Sequence, residues 1–171
     1  MKKILIIAAL FTSTVAAAQC DLKTTTTDST TVNTGTVKWL GCDGSGSCSS
    51  IELQEYNTKD PFYMLQLTHA ITGAQVIVCS TTDALVIKFS DGDSLRLYTD
   101  KVYAGKVNTD VTVGNGTVYV GMYMVSKQQL EKIASKKIVS LSLNHQKGSI
   151  DMKVKEKKAQ SAQETAKCLL K

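Results

Sequence analysis

Arginine is almost missing from this chain. Arg96 is the only one among 20 basic residues, and surfaces that read phosphates or guanine edges depend on the bidentate arginine fork, so nucleic acid is not an expected partner. Long apolar runs are missing too. A helix needs about 20 apolar residues to cross a bilayer, and the run Ile4 to Phe11 falls far short, so no transmembrane segment is expected in the mature chain. Histidine occurs twice, at His69 and His145. Neither has an aspartate three residues before it, so no general base can be assigned to a serine by motif.

The first residues have the order of a secretory signal: Lys2 and Lys3, then the apolar run, then Ala16-Ala17-Ala18 as the small residues a signal peptidase accepts. Residues 1–18 are therefore expected to be a signal peptide. The chain is expected to be exported to the periplasm, the outside or the outer membrane of a Gram-negative-type bacterium. Of its 171 residues, 153 remain after residue 18, enough for one domain with a real core. The remainder carries 18 basic and 15 acidic residues, a net charge of about +3 that names no partner. Cleavage after Ala18 puts Cys20 near the new terminus, where it becomes a lipidation site, and hence a membrane tether, or a free thiol.

From Lys23 to Thr36 the chain is mostly threonine, with Val32 its only large apolar residue. Residues 19–35 are expected to be a flexible leader, and Asp28-Ser29-Thr30 matches the short acceptor triplet of some bacterial envelope glycosylation systems. Residues 36–171 are expected to be a single β-rich domain. Period-two alternation dominates it, with glycines where hairpins turn. Opposed residues in a hairpin share a face, so each register can be tested. Setting Cys42 against Cys48 puts Trp39 opposite Ile51 and Val37 opposite Leu53. Leu65, Leu67 and His69 return as Val76 and Val78 around Thr72-Gly73. A bulged Ser90-Asp91-Gly92 loop sets Ile87 against Leu95 and Leu85 against Leu97. A two-residue Asn115-Gly116 turn sets Val113 against Val118 and Val111 against Val120.

Ser126-x-x-Gln129 is a capping box opening a helix that runs to about Ser135. Val139, Leu141 and Leu143 then pair with Ile150, Met152 and Val154. Ala159, Ala162, Ala166 and Leu169 form the stripe of a closing helix. The expected fold is α+β and mostly antiparallel, a meander of hairpins with one short internal helix and a C-terminal helix packed on the sheet.

Five cysteines in an exported chain point to disulfides. Cys42 with Cys48 is the first pair and Cys79 with Cys168 the second, leaving Cys20 odd. A Cys-x5-Cys pair with His69 lacks common zinc spacing, and no metal or cofactor is expected. Gly92-Asp93-Ser94-Leu95 resembles the motif that names the GDSL hydrolases, whose nucleophile sits on a strand-to-helix turn. Here Ser94 follows a hairpin turn and the family's later Asp-x-x-His is missing. Tyr119 and Tyr123, with Tyr98 and Tyr103, are expected either to lie beneath the last helix or to form an exposed binding surface. Nine lysines stand against three acidic residues between Ser126 and Lys158, mostly on polar faces where they keep a sheet soluble.

These features lead to an expected function of non-catalytic envelope protein, a binding or structural module with a protein or glycan partner. The alternative is a protein-binding inhibitor or assembly factor using the loop closed by Cys42 and Cys48, and a small hydrolase is the outsider.

Overall fold

In the computed structural model, which describes residues 20–27, 30–42, 46–108 and 116–171, strands form where apolar and polar residues alternate, because that period gives each strand one face to bury. They are β1 (Lys23–Thr27), β2 (Thr30–Cys42), β3 (Cys48–Asn57), β4 (Phe62–Thr72), β5 (Val78–Cys79), β6 (Leu85–Phe89), β7 (Ser94–Leu97), β8 (Tyr103–Ala104), β9 (Lys106–Asn108) and β10 (Gly116–Val125). Helix α1 (Lys127–Ser135), β11 (Ile138–His145), β12 (Gly148–Lys153) and helix α2 (Glu156–Leu169) complete the chain. The larger sheet has the order β1-β2-β3-β4-β10-β9, the second β12-β11-β6-β7, and β5 pairs with β8. The fold is α+β and antiparallel, with one internal and one C-terminal helix. The signal-like residues 1–18, and Asp28 and Ser29 of the glycosylation triplet, lie outside the described residues.

One face of the larger sheet is the core face. Ile51 and Leu53 of β3, Leu65 and Leu67 of β4, and Tyr119 and Tyr123 of β10 are buried there. Leu85, Ile87, Leu97, Leu141 and Leu143 close the core from the second sheet. Both helices pack on this same side, α2 over β2 and β3, and α1 against α2 and β4. Ala159, Ala162 and Ala166 are fully buried, and their small size lets α2 approach so closely that a Cβ at Gly35 would overlap Thr165 Cγ2. The capping box forms as read: Gln129 N donates to Ser126 Oγ and Ser126 N donates to Gln129 Oε1.

Several registers follow the apolar arithmetic. Ile87 opposes Leu95 and Leu85 opposes Leu97, with Gly92 at φ 86° supplying the left-handed residue of the bulged turn. Leu141 opposes Met152 and Leu143 opposes Ile150. Others differ. Cys42 does oppose Cys48, but an irregularity between Val37 and Gly41 slips β2, so Val37 opposes Ile51 and Gly35 opposes Leu53. A bulge between Ile138 and Ser140 likewise buries Ile138 and leaves Val139 exposed.

The expected hairpin of Leu65, Leu67 and His69 with Val76 and Val78 does not form. β4 pairs with β3 on one side and β10 on the other, and Val78 pairs with Ala104. Val118 opposes Lys106 instead of Val113, because Gly116 is already in the ladder opposite Asn108; residues 109–115 lie outside the described residues. The Thr-rich segment expected to be a flexible leader is strand at Lys23–Thr27 and from Thr30 onward. Its threonines have high β-propensity, and Lys23–Thr27 pairs with Thr30–Thr34 as the edge ribbon of the larger sheet. Thr24 Oγ1 donates to Asn33 Oδ1, and Asn33 Nδ2 donates to Glu55 Oε2, a polar ladder across three strands.

Candidate functional site

Sulfur pairing departs from expectation at one bridge. Cys42 is bonded to Cys48, and the second disulfide is Cys20–Cys168, with Cα atoms 5.6 Å apart. Cys79 is the free cysteine and is fully buried, so it cannot staple α2. The correction has a local cause: β5 pairs with β8 and turns Cys79 into the core, where its Sγ lies 3.3 Å from Asn144 O, while the leader returns past α2 and brings Cys20 to Cys168. A sulfur in that bond carries neither a thioether lipid nor a free thiol, so both readings of Cys20 give way.

The four tyrosines do not share a surface. Tyr119 and Tyr123 are fully buried, Tyr98 is exposed and Tyr103 is half-buried beneath the Lys101 ammonium. The cover over Tyr119 and Tyr123 is not α2, which lies over β2 and β3; β7 and β8 approach β10 instead. Their phenol oxygens are 3.0 Å apart. Burial pushes both phenols far above the ordinary tyrosine range, and it pushes the Cys79 thiol beside Tyr119 upward as well. All three are therefore neutral, a hydrogen-bonded polar knot inside the core and not a reactive centre. The partly exposed apolar face of β10 is the other one, with Val120 and Met124 on it.

Ser94 is exposed on β7 opposite Lys88. Lys132 Nζ donates to its carbonyl, and among the described residues no histidine or carboxylate hydrogen-bonds its hydroxyl. Asp93 beside it is bound by Lys132 and Lys136, whose hydrogen bonds hold its carboxyl far below the usual range. This turn is an ion-paired brace between β6–β7 and α1. It is not a nucleophile elbow. His145 closes the β11–β12 hairpin opposite Gly148.

Polar groups converge elsewhere. A cleft of about 570 Å³ lies between the ends of β2, β3 and β4 and the strand β12. Its lining combines Ser47, Ser49, His69, Gln75, Asp151 and Lys153 with apolar Ile71 and Met152. Ser49 and His69 are each 2% exposed, and Ser49 Oγ is 2.7 Å from His69 Nδ1. The sheet register creates the pair: β3 and β4 set Leu53 against Leu65, Ile51 against Leu67 and Ser49 against His69. The expectation that His69 sits beside Val76 is thus replaced by a cross-strand bond to Ser49. Aligning the apolar residues of these two segments would have found it, since Ser49 and His69 are the next pair on the same face. Cys42 borders the same cleft, which ties the disulfide to the site; residues 43–45 of its loop lie outside the described residues. Among the described residues no group of three or more His, Cys, Asp or Glu side chains is placed to hold a metal, and no helix is long and apolar enough to cross a membrane.

Fold and site together define a disulfide-bonded, antiparallel α+β protein, with a polar cleft where the six-stranded and four-stranded sheets meet. Disulfides of this kind form in an oxidising environment. Comparison of the chain with protein-family models, with curated proteins and with solved structures finds no match in any of the three.

Proposed function

We propose that the chain is an exported, non-catalytic binding module of the bacterial cell envelope that engages its partner at the cleft beside β12. The observation that carries this reading is the convergence of hydroxyl, imidazole, amide and charged side chains over an apolar floor in one open cleft, the arrangement expected of a ligand site. The signal-like order of the first residues and the two disulfides support export. The burial of Ser49 and His69, each 2% exposed and hydrogen-bonded to the other, supports binding over turnover, because a nucleophile and its base must reach the substrate.

Site-specific photocrosslinking tests the reading in the producing cell. A photoreactive residue at Ser149, on the cleft wall, is expected to capture a discrete partner, while one at exposed Lys88 captures none. Purified protein is expected to leave ester, peptide and glycan substrates intact. Turnover abolished by Ser49→Ala would overturn the reading. A second reading, an inhibitor or assembly factor that presents the Cys42–Cys48 loop, is favoured by the place of Cys42 and Ser47 in the cleft wall. On that reading Cys42→Ser loses the Ser149 crosslink while the protein stays folded.

A further inference from the structure

One wall of the cleft is a strand edge. β12 is the last strand of its sheet, so among the described residues it is paired with β11 alone. In an antiparallel ladder, successive residues turn their main-chain N–H and C=O groups alternately toward the partner strand and away from it. Two hydrogen bonds fix that phase just beyond the strand. Val154 N donates to Val139 O, toward β11, and Lys155 N donates to Leu40 O, toward β2, both at 3.0 Å. Counting back, Ile150 and Met152 address β11, and Ser149, Asp151 and Lys153 turn their main chain outward. All three line the cleft, and all three are exposed. At Lys153 the outward carbonyl meets Gly41, where any Cβ would overlap it, so β2 closes that end of the edge. Along Asp151 and Ser149 the edge borders the cleft.

We propose that the cleft takes an extended peptide segment of a partner protein, which adds to β12 as a fifth strand of the second sheet. The proposal rests on the binding-module reading and names the partner's chemistry. An open strand edge presents donors and acceptors every second residue, at a spacing of about 6.6–6.8 Å, and a polypeptide backbone is the ligand that repeats complementary groups at that spacing. The adding strand has one side chain beside Met152 on the inward face, above Ile71, and cross-strand neighbours share a face. That position takes a short apolar residue. The outward face, beside exposed Asp151 and Lys153, takes polar or oppositely charged ones.

The outward phase of Asp151 supplies a diagnostic substitution. Proline there deletes an N–H that faces the cleft and leaves every β11–β12 hydrogen bond in place, the one situation in which a sheet tolerates proline. Panning the disulfide-bonded protein against displayed random heptapeptides is expected to yield extended binders. Those peptides should slow hydrogen exchange at the Ser149 and Asp151 amides. Asp151→Pro should weaken them by at least about tenfold, the loss expected when main-chain hydrogen bonds to the ligand go, while Asp151→Asn, which keeps the N–H and removes one exposed charge, weakens them by at most about fivefold. An unchanged melting temperature shows that Asp151→Pro is folded; if it is not, amide protection in the unsubstituted protein decides. The absence of selected peptides, binders indifferent to Asp151→Pro, or binders that leave both amides unprotected each overturn strand addition. The Ser149 crosslink is read separately, so a cleft that binds something other than a strand still captures a partner there.

Discussion

Tyr119, Gly121 and Tyr123 follow one another on the core face of β10, and the glycine is what lets the pair fit. A Cβ at Gly121 would overlap the Tyr119 hydroxyl and lie 2.8 Å from two atoms of its ring; Tyr119 is fully buried and has nowhere to move. Gly121→Ala is therefore expected to destabilise the protein by about 1–3 kcal/mol, the usual penalty for overpacking a core, measured as a lower midpoint of urea unfolding at constant slope. A midpoint equal to that of the unsubstituted protein would mean the ring is not seated over the glycine. The two phenols also set a pH dependence. Their folded ionisation is displaced upward by burial first, so the native state keeps protons that the unfolded chain releases near pH 10. Stability is fully present below that pH and falls as pH rises above it. Absorbance titration is expected to show two of the six tyrosines ionising only together with unfolding. Ionisation of all six at constant far-ultraviolet circular dichroism would contradict this.

Elements were legible where the local pattern had a single solution. The capping box starting at Ser126 and the alanine stripe of α2 each name a helix without help from the rest of the chain. The bulged turn at Ser90-Asp91-Gly92 is forced by Lys88, which a two-residue turn would bury; the bulge leaves it exposed opposite Ser94. Misreadings fall where two partners compete for one strand. The residues of β4 alternate equally well against Val76 and Val78 or against Ile51 and Leu53, and local turn chemistry favoured the nearer pair. β3 wins because it matches β4 over nine positions and buries both apolar sets. The candidate site was lost in the same choice, since the Ser49–His69 bond exists only in the β3–β4 register. The threonines of β1 lack any apolar signal, so their strand is visible only once β2 is in place to pair with them.

At the scale of the molecule, the two disulfides do different work. Cys42–Cys48 spans a separation of 6 residues and Cys20–Cys168 one of 148. In the chain-entropy model these closures remove about 2 and about 5 kcal/mol of unfolded-state freedom. The longer bridge joins Cys20 to the last turn of α2, so it encloses all three sheets and holds the β1–β2 ribbon to the helix. Replacing Cys20 and Cys168 together by serine is expected to lower the melting temperature by roughly 10–20 °C, from about 2–4 °C per kcal/mol for a chain of this size. Replacing Cys42 and Cys48 is expected to cost less than half as much, with its main effect at the cleft wall. A larger thermal loss from the Cys42/Cys48 pair would show that the hairpin, and not the closure of the whole chain, is where the covalent bracing acts. Recovery of the mature protein with a lipid on Cys20 would remove the long bridge altogether, because that sulfur cannot serve both.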